Sequence, residues 1–123
     1  MKAGLAQDLA KASEFSILEA KLAAEHRLIS RKLEPVNSRF FWHGIQDKVQ
    51  SHYAELTHAL LGWEQRVREY QMLLSRDLSA RSNELKSAAA DRIRDAKLRF
   101  YAAYHQWSHL IKHSEIEIQR TAA

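Results

Sequence analysis

Cysteine is absent from this chain, and proline occurs once, at Pro35. Without cysteine there is no disulfide scaffold and no thiolate zinc site, and the absence fits a reducing compartment. With a lone proline, the 88 residues that follow Pro35 contain little that must stop a helix. The only later glycines, Gly44 and Gly62, both sit inside helical patterns. No apolar run approaches the about 20 residues needed to cross a bilayer. Residues Met1 to Ala12 carry Asp8 and Lys11 among alanines and leucines, and they lack the apolar stretch of a secretory signal. A cytoplasmic protein is the expectation.

Catalytic signatures are missing as well. There is no glycine-rich phosphate loop, nucleophile elbow, zinc-protease helix motif or thiol nucleophile. The nearest carboxylate pair, Glu115 and Glu117, is two residues apart and points to different sides of a helix. The chain is therefore expected not to be an enzyme. No catalytic residue, metal ligand, cofactor or small-molecule substrate is assigned.

What is present favours long helices. Apolar residues make up 46% of the 123 and charged residues 28%, enough to fold one helical domain over 1–123. A first helix is expected over about residues 3–33. Leu5, Leu9, Ala12, Phe15, Leu18, Leu22 and Ile29 follow one another at mostly three- and four-residue steps. Pro35 ends it, because the residue before a proline avoids the α region. Ser38 is a good N-cap for a second helix over about 39–75. Its seam is Trp42, Ile45, Val49, His52, Leu56, Ala59 or Leu60, Trp63, Val67, Tyr70 and Leu74, a heptad pattern.

Residues 75–83 are rich in serine, aspartate and asparagine, which compete for backbone hydrogen bonds, so a hinge is expected there. A third helix follows over about 84–119, with Leu85, Ala89, Ile93, Ala96, Phe100, Ala103, Trp107, Leu110 and Ile111. The fold class is all-α. Two architectures fit: an antiparallel three-helix bundle closed by the hinge, or a coiled-coil hairpin at Pro35 followed by one unbroken helix that must dimerise. The bundle is favoured. Even in the bundle the shorter first helix leaves a strip of seam open, a reason to expect self-association.

Four groups of residues bear on function. Ile45, Val49, His52, Leu56, Trp63, Val67, Tyr70, Phe100 and Trp107 are the expected seam anchors, with His52 a hydrogen-bonded, register-setting polar residue. Phe40, Phe41 and Trp42 cannot all face one core, so part of this trio is expected to meet a partner or a membrane. Arg92, Arg94, Lys97 and Arg99 belong to a segment, Arg76 to Arg99, whose seven basic and four acidic residues supply +3 of the net +4. Its charges are interleaved, which favours a solvated face over a one-sided stripe for polyanions. His105, His109 and His113 recur every four residues, but the spacing drifts about 40° per step, so one ion could take only two of them. They read as a polar flank.

The expected function is a helical scaffold for protein–protein interaction, presenting its seam to copies of itself as a homo-oligomer or to a protein partner. A membrane-surface or lipid-binding protein is the second class. A basic subunit of a nucleic-acid-associated complex is the third, resting on an isoelectric point of about 9.5.

Overall fold

A computed structural model describes residues 14–34, 43–76 and 81–122. Among the described residues there are three helices and no strand: α1, Phe15–Leu33; α2, His43–Arg76; and α3, Arg81–Ala122. They have 19, 34 and 42 residues. The expected N-terminal part of the first helix, residues 3–13, and the start of the second, residues 39–42, lie outside the described residues. Helix α3 begins three residues before its expected start and runs to Ala122.

The chain turns back on itself between α2 and α3, which excludes one unbroken helix. Trp63 lies 5.5 Å from Phe100 and Tyr53 lies 5.7 Å from Trp107, between ring centroids. Going down α2 goes up α3, so the two are antiparallel. Helix α1 is antiparallel to α2, since Phe15 meets Trp63 and His26 meets Tyr53. It runs parallel to α3, since Glu25 bonds Trp107 and Lys32 bonds Glu115.

This register stacks the core in layers. Phe15, Trp63 and Phe100 form one, with Phe15 edge-on to Trp63 at 4.8 Å. Seven residues on along α1 and α3, and seven back along α2, come Leu22, Trp107 and Leu56. The next step brings Ile29, Ser114 and Val49 to one level, and all of these side chains are buried. Seven-residue spacing keeps a side chain on the same face of its helix, so each layer repeats the last. Ser114 is the exception in kind: a polar residue without exposed surface, its hydroxyl without a hydrogen-bond partner.

Beyond the Phe15 level, α2 and α3 continue as a pair. Val67, Tyr70, Ala89 and Ile93 are buried there. Among the described residues no third helix accompanies them, and Met72, Leu74 and Leu85 are exposed. The small Ala89 sits in this two-helix stretch, where a small side chain lets the backbones approach.

Candidate interaction surface

Of the expected seam anchors, Val49, Leu56, Trp63, Val67, Tyr70, Phe100 and Trp107 are buried and Ile45 is half-buried against them. His52 is a correction. It sits on the flank of α2 with 32% of its side chain exposed, and Nδ1 is 4.0 Å from Glu55. The second stripe of α2 lies one residue further on, along Tyr53, Leu60 and Val67. The physical reason is contact with α1: Tyr53 stacks on His26, with centroids 4.1 Å apart and planes 6° apart. Leu74 and Leu85 are likewise exposed, and Leu73 packs on the core in place of Leu74.

Phe40, Phe41 and Trp42 lie outside the described residues. The basic residues are not gathered into one patch. Ile93 is buried, and Arg92 and Arg94 flank it on opposite sides of α3. Arg99 returns to the side of Arg92 after seven residues, whereas Lys97 lies on the side of Arg94. Arg94 is 3.6 Å from Asp91, so acidic side chains are interleaved with it.

His105, His109 and His113 are exposed, with the first two rings 4.9 Å apart and edge-on. Among the described residues no group of three or more His, Cys, Asp or Glu is arranged to hold a metal ion.

A surface not assigned from sequence is a groove between α1 and α3. Its first part is a cleft of about 550 Å³ lined by Phe15, Ile17, Leu18, Trp63, Phe100 and Tyr101. Its second is a cleft of about 320 Å³ between Leu28 and Ile29 on one side and Ser108 and Ile111 on the other. Tyr104 lines both clefts, which follow one another along the outer face. Glu14, Lys21, Glu25, Lys112 and Glu115 line it with alternating charge. The Lys32–Glu115 ion pair, 3.2 Å, closes its far end. Ile17 is 69% exposed and Leu28 is 54% exposed. A signal for this surface was present: both are large, apolar and off the buried stripe, and their 11-residue spacing is about three helical turns.

Beneath the groove lies a polar-aromatic cluster. The Trp107 indole N–H donates to Glu25 Oε2 at 3.0 Å, and the rings of His26, Tyr53 and Trp107 form a three-membered cluster in which His26 stacks on Tyr53. Burial disfavours the charged imidazolium, so the pKa of His26 lies below its ordinary value. Its Nε2 is buried without a hydrogen-bond partner.

Among the described residues no helix is long and apolar enough to cross a membrane. No protein-family model matches the chain, and neither a curated protein nor a solved structure matches it.

Proposed function

We propose that this protein is a non-enzymatic, coiled-coil-like helical scaffold that assembles with copies of itself or with a protein partner. The observation that carries this reading is the pair Ile17 and Leu28. Both stand more than half exposed on the outer face of α1, although the core beside them is already filled. Large apolar side chains grouped on a rigid surface and rimmed by polar ones mark interaction sites.

The charge on the rim favours a protein over a membrane. An anionic lipid surface selects a mainly basic patch. Here acidic and basic residues alternate, as they do where two protein surfaces fix their register. The interleaved acids around Arg94 argue in the same way against a polyanion.

Light scattering on a sizing column, coupled to small-angle X-ray scattering, tests the reading. A mass above the 14.3 kDa of one chain is expected, growing with concentration. A monomer that sediments with anionic vesicles and is released by salt would replace this reading with the membrane one.

A further inference from the structure

We propose that His105 and His109, on the exposed flank of α3, form a two-point binding site for a borderline divalent transition-metal ion such as Zn²⁺ or Ni²⁺. The proposal goes beyond the assembly reading and does not depend on it.

Helical geometry brings the pair together. Residues four apart on a helix stand about 6 Å apart along the axis and about 40° apart around it. His105 and His109 occupy such positions, and their rings meet edge-on, with centroids 4.9 Å apart and planes 80° apart. An imidazole nitrogen ligates zinc at about 2.0–2.1 Å, and the ring centre lies about 1.1 Å behind that nitrogen. Two imidazoles on one ion therefore hold their ring centres about 4.5 Å apart at a right angle and about 5.1 Å apart at the tetrahedral angle. The separation of 4.9 Å lies between these limits. Both side chains are exposed, so turning a nitrogen of each ring toward a shared ion disturbs no core contact. Trp107, between them in sequence, is buried and fixes the turn that carries both.

His113 continues the flank but stands about 12 Å from His105 along the axis, too far to share the same ion.

The donor set selects the class of metal. Imidazole suits Zn²⁺, Ni²⁺ and Cu²⁺, whereas Ca²⁺ and Mg²⁺ take oxygen ligands. Along α3, no Asp or Glu lies within four residues of either histidine. Lys112, three residues beyond His109, adds positive charge. Hard cations are thus disfavoured by donor type and by charge together. With two protein ligands the remaining positions fall to water, so the ion exchanges with solvent, unlike one in a closed structural site.

Isothermal titration calorimetry of the full chain with ZnCl₂, and with MgCl₂ as the control, tests the site. One Zn²⁺ per chain is expected, and no Mg²⁺. His105→Asn and His109→Asn should each weaken Zn²⁺ binding at least about tenfold, since even an outer partner of a metal ligand contributes about 10–100-fold. His113→Asn should leave the affinity unchanged. Helical content by circular dichroism should stay the same in all three, because each replaces an exposed side chain. Saturating Zn²⁺ should raise the melting temperature of the native chain and not that of His105→Asn, because an ion held across one turn favours the folded helix.

Zn²⁺ binding that survives the double variant His105→Asn, His109→Asn belongs to other histidines and overturns the proposal. So does binding lost with His113→Asn and kept with His105→Asn, or Mg²⁺ bound as tightly as Zn²⁺. One ion per two chains, with a doubled mass by light scattering, replaces the site with a bridge between copies and overturns it as well.

Discussion

Trp107 and Glu25 join α3 to α1 through one hydrogen bond, indole N–H to carboxylate, at 3.0 Å. Trp107 has no exposed surface, and the bond lies between the Phe15 layer and the Lys32–Glu115 pair. Removing the acceptor leaves a buried donor unpaired. Glu25→Ala is expected to cost about 1–3 kcal/mol in urea denaturation. Glu25→Gln keeps an acceptor and should lose less.

Trp63 fills the centre of the bundle, between Phe15 and Phe100, and is buried. Its three aromatic neighbours, Phe15, Phe100 and Tyr101, are held on two other helices and cannot all move in. Trp63→Ala should cost about 3 kcal/mol or more. A loss below about 1 kcal/mol in the same measurement would contradict this packing.

Ser114 occupies the level of Ile29 and Val49, its hydroxyl buried and without a partner. Ser114→Ala removes that unsatisfied group at almost no cost in volume. Thermal melting should show equal or higher stability, by up to about 1 kcal/mol.

Gly62 lies within α2, and a Cβ there would meet nothing within 4 Å. Alanine loses less backbone entropy on entering a helix. Gly62→Ala is expected to stabilise by about 0.5–1 kcal/mol, read from the denaturation midpoint.

His26 gives the bundle a pH dependence. Its folded pKa is lowered from 6.5 by burial, so below 6.5 the unfolded chain binds a proton that the folded chain resists. The unfolded state then binds more protons, and stability falls as pH drops from 6.5 toward the folded pKa. Above 6.5 the contribution is flat. Arg27, Arg31, Glu25, Tyr53 and Gln46 surround or adjoin the ring. Melting temperatures at pH 7.5 and 5 should differ less for His26→Phe than for the native chain, because phenylalanine keeps the stack on Tyr53 and cannot titrate.

The sequence by itself determined that this chain is helical, and it located the stripe of Val49, Leu56, Trp63 and Tyr70. Both follow from local causes: good helix formers, one proline, and a seven-residue period that returns a side chain to the same face. It did not decide between His52 and Tyr53, because two neighbouring stripes fit a period of about 3.5 equally well. The ring of His26, on another helix, settled that choice. Nor did it mark Ser114 as core, since a serine in a heptad position looks like the end of the seam until Ile29 and Val49 close over its level. The turn between α2 and α3 is expected from the polar run 75–83, but the parallel course of α1 beside α3 and the meeting of Ile17, Leu28 and Tyr104 along one face were decided by the tertiary structure. A helix's own periodicity says which face is apolar. Which apolar face is covered depends on how long its neighbours are and in what register they lie.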